Sequence, residues 1–299
     1  MKLIDMTYLF ALALIGTLLI GLGFYLAKKP KSEGDWKAPL ALAASFSPAP
    51  DGSYKLQNFR AFEFTADKKY SEHWSEIDIN SKAIKEMWFF IEPFPTNALF
   101  AHSFISFVFD DGKGGTQSIA VSIEARMERD QSYTPLGGVF RNYELLYVWS
   151  TEKDIMTRIG VSLDNTLYAY KLDLSHDQQR TLLEYFIART NVLAEKPRFY
   201  NTLHSNCTNE LAKAVNEAFP NALPWHRSWV LTGRSAKWLS DLGFIKTQPG
   251  ISFKTASQEL DIREIVQRLA DEPAADFEVK WRQSLAAKIN NTPTPSPRN

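Results

Sequence analysis

The sequence predicts an α+β fold, an antiparallel sheet packed with helices, preceded by one membrane-crossing helix. Three observations predict it. Residues 6–27 carry no charged side chain. Between residues 58 and 172, short apolar stretches with period-two alternation are separated by turn-forming segments. Beyond Ser175 the apolar residues switch to helical spacing. Strands and helices without strict alternation argue for α+β rather than a doubly wound sheet.

The N-terminal stretch MTYLFALALIGTLLIGLGFYLA would make roughly 33 Å of helix, enough to cross a bilayer core. It lacks the polar stripe of a helix half-buried in a soluble core. A cleaved signal peptide is the rival reading, but Lys28-Lys29-Pro30-Lys31 follows where a small-residue cleavage site would stand, which favours an uncleaved anchor. Four lysines (28, 29, 31 and 37) follow the span and one precedes it; by the positive-inside rule alone the large domain would be cytoplasmic.

Composition narrows the function. With 34 basic and 34 acidic side chains the chain is neutral, so it lacks the broad positive field that binds nucleic acid. A single cysteine excludes an internal disulfide framework and any multi-cysteine metal site. No phosphate loop or dinucleotide fingerprint occurs, and no cofactor is expected.

Strand candidates are Phe59–Phe64, Met87–Ile91 (ending at Pro93), Ser103–Phe109, Gln117–Ala125, Tyr143–Trp149 and Thr166–Leu172. The turn-rich DDGKGG lies between the third and fourth. If the turn falls within Gly112–Gly114, paired residue numbers sum to 226. Ile105 then faces Val121 and Phe107 faces Ile119 on one apolar face. The other face sets His102 opposite Glu124, Phe104 opposite Ser122 and Ser106 opposite Ala120, within reach of an imidazole–carboxylate hydrogen bond. A shift of two would bring Ser122 or Arg126 into Glu124's place.

Ser175 with Gln178 forms a capping-box pattern before a helix whose face carries Leu182, Leu183, Phe186, Ile187 and Leu193. A second helix opens at Asn206, an N-cap that puts Cys207 at the first helical position and ends near Pro220. Leu211, Val215 and Phe219 place Cys207 on the buried stripe. A thiol there feels the positive end of the helix dipole, which favours the thiolate and hence nucleophilic chemistry. A buried, inert packing cysteine is the competing reading. A third helix is expected around Asp261–Ala270. His204, three residues before Cys207, makes no recognised zinc spacing with it and His102, so no metal site is expected. His73, His176 and His226 read as surface or cap residues. Tyr200 and Asn201 precede the thiol and could shape an oxyanion site or a turn.

Taken together, Asn58-Phe59-Arg60, Ala101-His102-Ser103-Phe104, Val121 through Arg126, Tyr143-Glu144-Leu145, Glu152-Lys153-Asp154 with Arg158, and Pro197 through Leu203 followed by Asn206-Cys207-Thr208 make a recognisable series. In this order they resemble the bacterial Lnb N-terminal periplasmic domain family, a domain of unknown function, over roughly residues 55–245. The resemblance implies export and membrane attachment, against the lysine count: an inner-membrane, single-pass protein with a periplasmic domain. A looser similarity, in the order His102, Glu124, Cys207, is to permuted papain-like thiol folds of the NlpC and lecithin:retinol acyltransferase types. It implies Cys207 as nucleophile, His102 as base and Glu124 (or Ser122) as orienting residue; Ser122, Asn206, Tyr200 and Arg126 are the expected supporting residues. The expected organisation is an anchor (1–27), a juxtamembrane linker, partly packed (28–57), the Lnb-type domain (58–245), a C-terminal helical extension (246–289) and a disordered tail (290–299). Amide or ester hydrolysis or acyl transfer in the envelope, on a peptide, glycan or lipid acyl group, is the expected chemistry. The alternative is a non-catalytic binding or accessory module in which Arg126, Asp154 and Arg158 serve as structural ion pairs or a recognition patch.

Overall fold

The computed structural model describes residues 6–246 and 252–291. Helix α1 (Met6–Ala27) is the apolar span, exposed along its length and long and apolar enough to cross a membrane. Strands β1 (Ser45–Pro48), β2 (Tyr54–Arg60), β3 (Glu63–Phe64), β4 (Tyr70–Ser71) and β5 (Trp74–Ile79) follow. Next come β6 (Ile84–Phe94), β7 (Asn97–Asp110), β8 (Thr116–Arg126), the short helix α2 (Pro135–Val139) and β9 (Glu144–Ser150). Helix α3 (Glu152–Thr157) runs into a π-helical turn at Arg158–Ser162 before β10 (Tyr168–Lys171). Helices α4 (His176–Glu195), α5 (Cys207–Ala218), α6 (Ser235–Asp241), α7 (Phe253–Glu259), α8 (Arg263–Arg268) and α9 (Ala274–Asn291) complete the chain.

The main sheet runs β1-β2-β9-β8-β7-β6-β10, with β5 also on β2; its pairs are antiparallel apart from β2 with β9. The β7–β8 hairpin has the expected register, Ile105 opposite Val121 and Phe107 opposite Ile119. Gly112 and Gly114 both adopt positive φ in its turn, a conformation that costs glycine little. The sheet is covered on both faces. Ile105, Phe107, Ile119 and Val121 pack with α4 and α5 residues such as Leu182, Phe186 and Leu211. Phe104, Val108 and Ala120 pack on the other face with Ile155, Ile265, Phe277 and Trp281 of α3, α8 and α9.

The structure departs from or sharpens the sequence reading in four places. Strand β6 continues past Pro93, because the proline lies at a register shift where it need not serve as a ladder donor. The aromatic stretch Phe59–Phe64 breaks after Arg60, and β3 pairs with β4 outside the main sheet. Within 28–57, β1 and the start of β2 join the sheet, and Trp36, Leu40, Ala44, Phe46 and Leu56 are buried. Asn290 and Asn291 close α9, while the rest of the expected tail lies outside the described residues.

Candidate active site

His102 sits near the start of β7, beside Glu92 of β6. The β7–β8 ladder ends at Phe104 opposite Ser122, so His102 and Glu124 lie just beyond the last paired residues. His102 Nε2 is 2.8 Å from Ser122 Oγ and 3.3 Å from Glu124 Oε1. The Ser122 hydroxyl donates to Glu124 Oε1 at 2.6 Å. Because Ser122 spends its proton on the carboxylate, it must accept from His102, which puts a proton on Nε2. Nε2 is thus committed to Ser122 and Glu124.

Cys207 opens α5. Asn206 caps the helix: its side chain accepts from the Asn209 N–H at 2.8 Å, and Asn209 returns a bond to the Asn206 N–H. Asn206 Nδ2 also donates to the carbonyls of Thr202 and Trp229, so this side chain is fully engaged in building the turn and supports the site structurally. Ser103 Oγ and Thr208 Oγ1, 3.2 Å apart, tie the helix start to β7. The thiol lies 3.8 Å from the Ala101 carbonyl, its hydrogen-bond acceptor.

His102, Glu124, Asn206 and Cys207 line one cleft of about 260 Å³, together with Tyr133, Arg158, Tyr200, Thr202 and Thr232. Cys207 is 4% exposed, and the side chains of His102 and Glu124 are 12% and 16% exposed. The triad is therefore largely desolvated yet reached from the cleft. Burial pushes the Cys207 thiol up, but hydrogen bonding and charge interaction with His102, with help from Ser103, bring it below its ordinary value. Burial pulls His102 down; Glu124 and the sulfur together raise it well above the usual imidazole range. Glu124, though buried, is held below the ordinary carboxylate range by His102, by Arg158 and by Ser122. These opposite directions bring the thiol and imidazole pKa values toward each other, with an ionised carboxylate behind the imidazole.

Tyr200 is buried in the cleft wall, its hydroxyl 3.4 Å from that of Tyr133. Burial and the nearby sulfur keep the Tyr200 phenol protonated, available as a hydrogen-bond donor. Arg126, expected in support, is not a lining residue of the cleft. Its guanidinium donates to the carbonyls of Ser32, Leu40 and Ala41 and lies 4.4 Å from the Trp36 ring, because the N-terminal segment crosses β8 there. Asp154 makes a buried bidentate pair with Arg60 and accepts the Phe62 N–H, a structural role. Arg158 instead faces the cleft, and its charge reaches Glu124.

Sequence reasoning missed Glu92, Tyr133, Thr202 and Thr232. Thr232 both accepts from the Ala101 N–H (2.7 Å) and donates to the Ala101 carbonyl (2.8 Å), fixing the strand that carries His102. Its neighbour Gly233 abuts β7 so closely that a Cβ would stand 2.0 Å from the Ala98 carbonyl oxygen. Nothing in the local sequence pattern announces this contact. His204 is exposed, His226 caps a short turn, and among the described residues no group of three or more His, Cys, Asp or Glu is placed to hold a metal.

The family model of the Lnb N-terminal periplasmic domain matches residues 70–232, more than half of the chain and every residue of this site. The chain belongs to that family. No curated protein and no solved structure matches it. The matched segment runs from β4 through the Thr232 loop, so it spans the His102 hairpin, α3 and the Cys207 helix; β1 to β3 precede it, and α6, α7, α8 and α9 lie beyond it.

Proposed function

We propose that this Lnb protein is anchored in the inner membrane by α1, holds its folded domain in the periplasm, and carries a thiol hydrolase or acyltransferase site acting on an amide or ester. The observation that carries this reading is that Cys207, at a capped helix start, lines the same cleft as an imidazole whose Nε2 is held by Ser122 and Glu124. The order His102, Glu124, Cys207 along the chain is that of permuted papain-like thiol enzymes, and we read the domain as sharing their chemistry. The proposed organisation is an anchor (1–27), a packed connecting segment (28–57), the Lnb-type unit (58–245) and a helical extension (246–289).

In the forward step the Cys207 sulfur attacks the acyl carbonyl carbon, and its proton resides on His102 Nδ1. The capped N-terminus of α5 and the Tyr200 hydroxyl face the developing oxyanion. The C–N or C–O bond then breaks, His102 returns the proton to the leaving amine or alcohol, and a thioester remains on Cys207. Water or an acceptor amine or alcohol attacks the thioester, giving up its proton to His102. The sulfur leaves as thiolate, and the free acid or acylated acceptor departs.

One observation favours a second reading, a non-catalytic envelope module: the thiol is 4% exposed and already bonded to a backbone carbonyl. Alkylation separates the two. Iodoacetamide should modify Cys207 well below pH 8.5, the ordinary thiol range being about 8.5, and His102→Ala should slow modification at neutral pH by tenfold or more. A rate insensitive to His102 selects the binding module.

A further inference from the structure

The end of α1 is fastened to one corner of the Lnb domain. Lys28 Nζ donates to the Phe140 carbonyl at 3.0 Å and to Asn142 Oδ1 at 2.8 Å. Arg141 donates to the Tyr25 carbonyl at 3.2 Å, and its guanidinium lies 4.2 Å from the centre of the Tyr25 ring. The backbone just after α2 is thereby held where the apolar span stops.

At that corner three large apolar side chains face outward: Leu136 is 65% exposed, Phe140 54% and Leu203 51%. Leu136 and Phe140 are four residues apart, one at the start of α2 and one at its cap, and so share a face. Leu203 is brought alongside by Thr202, whose hydroxyl donates to the Pro135 carbonyl at 2.6 Å. Isolated exposed apolar residues are ordinary, but a group of them at the foot of a membrane span has an apolar phase within reach. Lys29, exposed at the same level, suits an anionic headgroup layer.

We propose that Leu136, Phe140 and Leu203 form a seat that enters the headgroup–acyl boundary of the bilayer in which α1 stands. The same two segments contribute to the cleft wall: Tyr133, Pro135, Tyr200 and Thr202 line it. The seat therefore sets this wall of the Cys207 cleft against the membrane surface. It rests on α1 being retained as an anchor, and it holds whether or not Cys207 is catalytic.

The hairpin tip at Lys113 is the internal control. From Ala101 to Asp110 strand β7 runs about 30 Å at roughly 3.3 Å per residue, carrying the tip away from the cleft. In full-length Cys207→Ser protein, single cysteines introduced as Leu136→Cys, Phe140→Cys, Leu203→Cys and Lys113→Cys would be labelled with an environment-sensitive nitrobenzoxadiazole dye. The protein would be reconstituted into vesicles of phosphatidylcholine and phosphatidylglycerol. Lipids bearing a doxyl quencher on the acyl chain should quench the dyes at 136, 140 and 203 at least twofold more than the dye at 113. The three positions are already exposed, so labelling leaves the core intact. Equal quenching at all four positions, or none at the three seat positions, overturns the proposal.

Discussion

At the residue scale, the chemistry rests on how charges are shared around one imidazole. Glu124 is ionised and held there by its partners, so Glu124→Gln removes the charge that keeps His102 protonated while keeping a hydrogen-bond acceptor. The expected result is a rise in the Cys207 thiol pKa and a three- to thirtyfold loss in alkylation rate at pH 6.5, against a smaller loss for Ser122→Ala; rates across a pH series check it. The sign of the pH effect follows from the directions. The reactive ion pair exists above the lowered thiol pKa and below the raised imidazole pKa, so reactivity should hold a plateau between the two and change outside it. For stability, Glu124 contributes fully above its unfolded pKa of about 4.3, and that contribution is lost as the pH falls toward its depressed folded value. His102, with its pKa raised, contributes below about 6.5 and loses that contribution as the pH rises through its folded pKa. The hairpin register that brings Ser122 and Glu124 to His102 was legible, because turn glycines and alternation fix it together. The role of Arg126 was not. Alternation places it on the same strand face as Glu124, and only the path of residues 32–41 across β8 decides what its guanidinium meets.

At the scale of elements, helix α5 carries the thiol and is held by Glu210. That buried carboxylate accepts from Ser205 Oγ (2.7 Å) and Tyr147 (3.1 Å), and pairs with Arg189 (2.6 Å), Arg198 (2.9 Å) and Lys213 (2.9 Å). Burial opposes its ionisation, yet Arg198, Lys213 and Arg189 lower it to about 2. Glu210→Ala leaves Arg189 with Glu217 as its remaining carboxylate partner and opens a void beside it, and should cost about 1–3 kcal/mol in denaturant unfolding. The stability Glu210 supplies is present above about pH 4.3 and declines as the pH approaches 2. Asn206→Ala should cost about 1–2 kcal/mol through the lost cap, and should also shift the thiol, because the same side chain positions the Thr202 and Trp229 carbonyls. The cap was readable from Asn206 alone. The Glu210 cluster was not, since its cations come from α4, from the segment after it and from α5 itself.

At the scale of the whole molecule, the main sheet is buried on both faces. The face bearing Phe104, Val108 and Ala120 looks half-polar in sequence because Ser106 and Ser122 alternate with them. It is dry because α3, α8 and α9 cover it, and Ser106 spends its hydroxyl on buried Glu152 at 2.5 Å. Glu152 in turn accepts from Trp281 Nε1 at 2.9 Å and pairs with Arg282, so the C-terminal helix is bound to the sheet by polar and apolar contacts together. Trp281→Ala should destabilise the chain by about 3–5 kcal/mol, seen as a loss of cooperative unfolding midpoint. That α9 would serve the sheet could not be read from a helix after Pro273, because amphipathic spacing names a buried face and not its partner. Of the proposed membrane attachment, the apolar length of α1 was plain from composition, whereas its contacts with Arg141 and Phe140 depend on the fold. Alkaline carbonate should leave the full-length protein in the membrane fraction, and its release would contradict anchoring by α1.

The central claim, that imidazole and sulfur act as one ionisable pair, is tested most directly by titrating the thiolate itself. Absorbance near 240 nm, measured on the full-length protein against Cys207→Ser across pH, should show Cys207 ionising below about 8.5, and His102→Ala should move that midpoint upward by a unit or more. A midpoint at or above 8.5, or one that His102→Ala leaves in place, would contradict the account.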